Sequence, residues 1–281
     1  MSEREAPKRN IQQFFVPILV VVAIGLAFFS GTMWQKVKSL ENGSSTTGGA
    51  VAGASTQPQA TVTLDTIKGL FSNKGVITFG DANRKVLFVE IADPSCPYCH
   101  IADGNDPQVA SAVGSQFKYV SDGGSYDPPV TEMEKLVNSG QASFAYIYYP
   151  GHGNGEMAMK ALFCANEQGK FWDVNSLLMS QAGYQIQNGY DATGKTVTGT
   201  VVGNDKTKSA ALAQFLKSAI DPAFMQSCLD SGKYDSYLTN NQSLATSMSV
   251  QGTPDFYVNT TNFPGAYSYT NMKSAVDAAL K

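Results

Sequence analysis

Apolar and polar positions along the chain fall into three patterns. From Phe14 to Trp34 the sequence FFVPILVVVAIGLAFFSGTMW runs 21 residues without a charge, close to the ~20 that a helix needs to cross a bilayer. Pro17 lies in its first turn, where a missing N–H does little harm. Arg4, Lys8 and Arg9 precede the run, and Trp34, Lys36 and Lys38 close it in the manner of a membrane interface. Three basic residues ahead of a first helix favour a cytoplasmic N-terminus. The competing reading is a cleavable signal peptide. No small-x-small site ends the run, and Ser30-Gly31-Thr32 is a poor substitute, so an uncleaved anchor is expected over residues 1–36. Residues 37–61 follow with a Gly/Ser/Thr-rich pattern, ENGSSTTGGAVAGASTQPQAT from Glu41 to Thr61. Nothing there can bury a face, so it reads as a flexible tether with an average reach of about 25–30 Å.

From Val62 onward strand and helix periods alternate. Leu64 to Phe71 predicts a short helix and Val76 to Phe79 a short strand. KVLFVEIA (Lys85 to Ala92) and ASFAYIYY (Ala142 to Tyr149) are nearly continuous apolar runs rich in β-formers, the pattern of strands covered on both faces. Between them a helical stretch starts at Cys99, is interrupted by Gly104-Asn105-Asp106-Pro107, and resumes from Val109 to Phe117. Pro129 to Asn138 is a helix with proline at its start. Helical periodicity then continues from Glu156 to Met179 through Met157, Ala161, Cys164, Phe171, Val174 and Leu178. It returns over Lys206 to Ile220, Pro222 to Ser231 and Tyr234 to Ser247. The Gly/Asn/Thr-rich stretch from about Ala182 to Gly203 predicts a loop or ragged hairpin. Phe256 to Val258 is a late strand with Ala266 to Tyr269 as its expected partner, and Asn271 to Leu280 is a closing helix. The order predicts an α/β sheet interrupted by an all-helical insertion at about 155–249 and preceded by one transmembrane helix.

Composition narrows the function. With 43% hydrophobic and 15% charged residues the chain is globular, and a formal charge of -3 provides no electrostatic footprint for nucleic acid. Four cysteines in 281 residues are too few for a disulfide-built scaffold, so each needs its own explanation.

Cys96-Pro97-Tyr98-Cys99 stands where a strand enters a helix. A first thiol there meets unpaired helix N–H groups that favour its thiolate, and a second lies one turn further in. The spacing predicts Cys96 as the exposed nucleophile and Cys99 as the buried resolving thiol, reacting through a mixed disulfide. A CxxC can equally be half of a zinc site. Structural zinc needs a second pair at ligand spacing, and the only histidines are His100 and His152, with Cys164 and Cys228 standing alone. No metal and no cofactor is expected. Glu90 lies within the apolar KVLFVEIA. If buried, its pKa rises and it can exchange a proton with a neighbouring thiol; if it sits at a strand edge, it simply reaches water. Cys164 and Cys228 lie on helical patterns of the insertion, either as a structural disulfide or as two buried thiols. Pro254 in Gly252-Thr253-Pro254 is either a cis proline beside the CxxC or an ordinary trans turn residue.

DPSCPYCH (Asp93–His100), KALFCANEQGKFWDV (Lys160–Val174), FMQSCLDSGKY (Phe224–Tyr234) and QGTPDFYVN (Gln251–Asn259) occur in an order that resembles the DsbA-like branch of the thioredoxin superfamily. The resemblance covers most of residues 75 to 281. It implies a thioredoxin-like fold over residues 62–281 with an inserted helical subdomain, working on protein disulfides in the periplasm or on the cell surface. By position it implies Cys96 as nucleophile, Cys99 as resolver, Glu90 as buried acid and Pro254 as cis proline. Thr253 becomes the substrate-edge residue, with Pro97 and Tyr98 also facing substrate. Protein substrates with cysteines and a quinone-linked membrane partner, DsbB-like or VKOR-like, are the expected partners. An anchor and tether stand where related isomerases carry a dimerisation domain, so a monomer is expected. Strong oxidases of this branch often have Pro-His where Pro97-Tyr98 stands here, and Thr253 resembles the isomerase and reductase branches. The expected function is a disulfide-forming oxidase; the alternatives are a reductase or isomerase, and a tethered binding or chaperone module without turnover.

Overall fold

The computed structural model describes residues 62–281. The expected anchor and tether, residues 1–36 and 37–61, lie outside the described residues. Among the described residues no helix is long and apolar enough to cross a membrane.

The chain opens with α1 (Leu64–Leu70), β1 (Ile77–Phe79), β2 (Val86–Ala92), α2 (Pro97–Asp103), α3 (Pro107–Val113), α4 (Pro129–Asn138) and β3 (Ala142–Tyr148). A run of helices follows: α5 (Glu156–Glu167), α6 (Phe171–Leu178), α7 (Gln181–Asn188), α8 (Ser209–Phe215), α9 (Pro222–Asp230) and α10 (Asp235–Ser247). It closes with β4 (Asp255–Val258), β5 (Thr261–Pro264) and α11 (Tyr269–Leu280). The five strands form one sheet in the order β1-β3-β2-β4-β5. β2 and β3 are parallel, while β1, β4 and β5 join antiparallel.

Every residue of β2 and β3 is buried, as expected of strands covered on both faces. Side chains alternate along β2: Val86, Phe88 and Ala92 enter one core and Leu87, Val89 and Ile91 the other. The same two-residue period places Glu90 on the face of Phe88 and Ala92. That face is covered by α2, α4 and α11 through Cys99, Ala102, Val130, Met133, Met272 and Val276. The opposite face is covered by α1 and α10 through Ile67, Leu70 and Ala245. Burying a single large aliphatic side chain such as Ile91 contributes roughly 1.5–3 kcal/mol, which adds to the ladder pairing that holds the central strands.

The helices between β3 and β4 extend the first of these cores. Met157, Leu162, Phe171, Leu178, Leu212 and Met225 belong to the same buried cluster as the sheet. Phe163 stacks on Tyr234 with ring centroids 4.9 Å apart. Buried Lys160 pairs with Asp235 at 2.6 Å, which satisfies a charge that would otherwise be costly to bury.

Three local predictions need correction. The helical run from Glu156 to Met179 is two helices, divided at Gln168–Lys170 with Gly169 at φ 63°. The stretch from Ala182 begins with a helix, because Ser180 caps α7 by accepting the Gly183 N–H at 3.2 Å. Its inward side chains are polar and bonded: Gln187 donates to the Leu178 carbonyl at 3.0 Å and Asn188 to that of Ser95 at 3.0 Å. With two amides beside Gly183 and Tyr184 on the buried face, the apolar period is too broken to read. The remainder is loop with an isolated bridge between Tyr190 and Thr196. The partner of β4 is Thr261–Pro264, not Ala266 to Tyr269. Asn259, at φ 53°, closes a two-residue turn with Thr260, a conformation asparagine tolerates better than most residues. Ala266 to Ser268 instead lead into α11.

Candidate active site

β2 delivers the chain to Cys96, which is the N-cap of α2; Pro97 follows in the first turn. The Cys96 carbonyl accepts from the N–H groups of Cys99 at 3.0 Å and His100 at 3.1 Å, so the helix starts at the cysteine itself. Both thiols are free, Cys96 5% exposed and Cys99 not at all. The Cys96 thiol is lowered to about 7, chiefly by its hydrogen bond with Cys99 and further by Thr253 and the amides of Cys99 and Tyr98, against the opposing effect of burial. Cys99 is pushed the other way. Burial raises it most, followed by its bond to Cys96 and the nearby charges of Cys96 and Glu90. One helical turn thus separates a more acidic sulfur from a less acidic, fully enclosed one; Cys96 is itself buried, not exposed as the spacing predicted, because the Thr253-Pro254 turn packs over it.

Glu90 is 1% exposed in the middle of the central strand, flanked in register by Tyr146 of β3 and Phe256 of β4. The strand-edge alternative does not apply to that position. Burial, reinforced by Asp103, raises its carboxyl well above the ordinary range, which favours its protonated form.

Thr253-Pro254 is a cis peptide bond. The Cys96 Sγ donates to the Thr253 carbonyl at 3.3 Å, and a groove of about 480 Å³ runs past Gln251, Gly252, Thr253, Pro254, Asn262 and Pro264. Tyr98 is 44% exposed at its side of the site, edge-on to Phe117 at 5.8 Å. Cys164 and Cys228 form a disulfide between α5 and α9, away from the CxxC in sequence and in the elements that hold it. They and Glu167 make up a group of three side chains able to ligate a metal, but both sulfurs are committed to the bond.

Several residues that the sequence reading passed over hold this geometry. Asp93, fully buried, accepts from Ser95 N–H at 2.9 Å and Ser95 Oγ at 2.7 Å, and from the His152 and Gly153 amides at 2.8 Å each. The Pro150-to-Gly155 loop is thereby tied to the turn before Cys96. Its approach is too close for side chains: a Cβ on Gly155 would lie 2.0 Å from Asp93 Oδ1, and one on Gly151 2.1 Å from Thr253 Oγ1. Three glycines in PGHGNG were the available signal, since such density directly after a strand marks close backbone approach. Asp103 and Tyr146 were also missed; both look like ordinary helix and strand residues until their neighbours are known.

Comparison with known proteins adds a family. A sequence family described as Thioredoxin matches residues 131–278, more than half of the chain, from α4 through Pro254 into α11. The chain belongs to this thioredoxin family. Its match ends short of the CxxC on the N-terminal side, so the reactive pair is argued from geometry. Among solved structures, alpha-DsbA1 of Wolbachia pipientis is similar at a TM-score of 0.52 and 17% identity, over 76% of this chain and 96% of that one. ScsC of Proteus mirabilis in a transitional conformation gives a TM-score of 0.52 at 17% identity, over 97% of each chain. A thioredoxin-like oxidoreductase of Silicibacter pomeroyi gives 0.50 at 20% identity, over 75% of this chain and 96% of the other. These likenesses establish the thioredoxin-like fold. A curated relative, Na(+)/H(+) antiporter NhaA 3 of Salinispora tropica, is 24% identical over 205 residues, which cover 72% of this chain. The chain spans about a quarter of that protein's length, as the match takes in 24% of it.

Proposed function

We propose that this thioredoxin-family protein is a thiol–disulfide oxidoreductase of DsbA type, exchanging disulfides with cysteine-containing secreted or surface proteins outside the cytoplasm. The observation that carries the reading is the opposed acidity of two sulfurs one turn apart, Cys96 lowered to about 7 and Cys99 raised by burial. In the disulfide-forming direction a substrate thiolate attacks Cys96 of the oxidised pair. The Cys96–Cys99 bond breaks, a mixed disulfide forms, and Cys99 leaves as a thiolate that takes the proton of Glu90. A second substrate thiolate then attacks the substrate's own sulfur, and Cys96 leaves as a thiolate. The substrate has lost two electrons and the CxxC has gained them. The lowered Cys96 supports this direction, because a stabilised thiolate is the better leaving group. The extended substrate would lie in the groove beside Pro97, Tyr98, Thr253 and Pro254.

The rest of the reading follows from the sequence. A single-pass anchor with its N-terminus in the cytoplasm would hold a monomeric domain, residues 62–281, in the periplasm or on the cell surface. A quinone-linked membrane partner, DsbB-like or VKOR-like, would reoxidise it. The Cys164–Cys228 bond supports an oxidising compartment. A second reading, reductase or isomerase, is favoured by Tyr98: it brings no imidazolium to the Cys96 thiolate, so the reduced form is held less strongly.

Trapping the in vivo thiol state by acid quench and alkylation tests the direction. Cys96–Cys99 should be recovered oxidised, and the purified oxidised protein should introduce disulfides into a reduced, unfolded substrate. Recovery as dithiol, together with a failure to oxidise that substrate, assigns the reductase or isomerase role. Absence of any exchange, including insulin reduction, leaves a binding module.

A further inference from the structure

The groove beside the cis proline carries charge of one sign. It begins at Thr253, whose carbonyl accepts from Cys96 Sγ at 3.3 Å, and passes Pro254 to Asp255, the first residue of β4. The Gly265 N–H donates to the Pro254 carbonyl at 2.9 Å, which ties this wall to the end of β5. A second hollow of about 380 Å³ shares Pro264 and Gly265 with the groove and is walled further on by Phe117, Tyr126 and Tyr267. Among the described residues that line the two hollows, Asp255 is the one carboxylate, and none is a lysine, arginine or histidine.

Asp255 is 5% exposed. Its Oδ1 accepts from Nδ2 of Asn262 on β5, which also donates to the Phe256 carbonyl at 3.2 Å. Those bonds join the two strands and bring no positive charge. Around Asp255 stand Tyr257 on the same face of β4, Asn262 and Pro264 from β5, Ile91 in register on β2, and the Ser249–Thr253 segment before the strand. Tyr257 is the other titratable group among them, and it is a neutral phenol. Burial raises Asp255 to about 6, against the bonds from Asn262 and the Phe256 amide, so at neutral pH an enclosed carboxylate stands without a counter-ion. Such a charge is costly unless paired, and a cation entering along the groove would pair it.

We propose that Asp255 is a specificity-determining residue, selecting protein substrates that carry a lysine or arginine about two residues from the reacting cysteine. This rests on the oxidoreductase reading and names the substrate class of that same site. An extended substrate pairing with the Thr253 edge beside Cys96 advances about 3.3 Å per residue, as β4 itself does. The position that reaches Asp255, two residues on from Thr253, is therefore about two residues from the substrate cysteine. There an ammonium or guanidinium meets the carboxylate away from bulk water, where complementary charge sorts partners strongly. The aromatic hollow past Gly265 holds no charge and adds no preference of this kind. A carboxyl that served merely to bind Asn262 would be indifferent to the charge of the substrate.

The test is the oxidation of short two-cysteine peptides by the oxidised full-length protein. The peptides carry arginine, alanine or glutamate two residues before or after the first cysteine. Each rate is divided by that of the same peptide with hydroxyethyl disulfide, an uncharged oxidant, which removes the effect of the charge on the peptide's own thiol. At pH 7.5 and low salt, arginine should be preferred to alanine by about tenfold on one flank, with glutamate disfavoured. Asp255→Asn should bring the arginine-to-alanine ratio to within about twofold of one, and Asp255→Lys should turn the preference toward glutamate. If neither variant folds, the wild type decides. Its carboxylate is lost as pH falls through about 6, so the arginine preference should fade between pH 7.5 and pH 5. A ratio near one on both flanks at pH 7.5, or a preference that survives in Asp255→Asn or at pH 5, would overturn the proposal and leave the oxidoreductase reading standing. Failure to oxidise any of the peptides would overturn that reading, and the charge preference with it.

Discussion

The chain carries two cysteine pairs, and the regions around them are built to opposite ends. Cys96 and Cys99 lie three residues apart at a helix start, both free, with five buried polar residues from Glu90 to Asp103 packed about them: Glu90, Asp93, Ser95, His100 and Asp103. Cys164 and Cys228 lie 64 residues apart, joined between two helices whose buried faces are mostly apolar. In the first region hydrogen bonds to Cys96 and burial of Cys99 set the two acidities apart; in the second, packing and a covalent link supply stability without chemistry. The lesson is that a cysteine's role follows from what surrounds it. Helix amides and an adjacent thiol make Cys96 reactive, and an apolar interhelical position makes Cys164 inert.

The sharpest way to break the comparison is to remove the sulfurs one at a time. Cys96→Ser should abolish exchange to background and trap nothing. Cys99→Ser should accumulate mixed disulfides through Cys96, because attack persists and resolution does not. Non-reducing gels of cell extracts read both outcomes, and stable adducts on Cys96→Ser would reverse the assigned roles.

Opening the other pair should act on stability alone. Loss of a cross-link closing a loop of this length should cost about 4 kcal/mol in the chain-entropy model. Urea unfolding of the Cys164→Ala/Cys228→Ala double variant checks the figure, and exchange per folded molecule should stay within about twofold of wild type by the independence of distant sites. A parallel collapse of activity would show that the two regions are not separate.

Polar burial near the CxxC also has a signature in pH. Asp103 is raised to about 6 in the fold, chiefly by burial, so the folded state holds its proton more tightly than the unfolded state does. Its contribution is fully present below the unfolded carboxylate range and is lost as pH rises through about 6. From Asp103 alone the unfolding free energy should fall by about 2 kcal/mol between pH 4 and pH 7, and Glu90, raised for the same reason, acts in the same sense. Urea titrations across that range should show the fall, and Asp103→Asn should flatten it. Stability that rises over the same interval would refute the burial argument.

The smallest expected effect lies at the surface. Tyr98→Ala removes an exposed ring that leans on Phe117, and should weaken protein-substrate binding by roughly 1 kcal/mol. KM should rise about fivefold with little change in kcat, measured on a reduced protein substrate. A change in kcat instead would mean that the ring tunes the thiolate rather than the groove.

Much of this was legible without coordinates because it is local. Periodicity over a few residues located the two central strands, and the spacing of Cys96 and Cys99 at a strand-to-helix junction set their different environments. The break at Gly104–Pro107 likewise follows from residues that cannot continue a helix. What failed was information carried by contacts. α7 buries two amides beside Tyr184, so its apolar stripe is interrupted; the burial of those amides depends on carbonyls of Leu178 and Ser95 that only the folded chain brings near. The hairpin partner of β4 turned on the left-handed backbone of Asn259, whose side chain is held by the amide of Leu87 from a distant strand at 2.9 Å.

By itself, then, the sequence determined the α/β order, the reactive motif and the helical run between β3 and β4, since each rests on period, turn chemistry or short spacing. Tertiary structure alone decided that Glu90 is sealed between Tyr146 and Phe256, that Cys164 meets Cys228, and that Asp103 lies under Cys99 against Asn175. The physical reason is the range of the interactions. Backbone preference and hydrophobic period act within a turn or a strand, whereas desolvation and charge coupling depend on whichever distant elements close over a group.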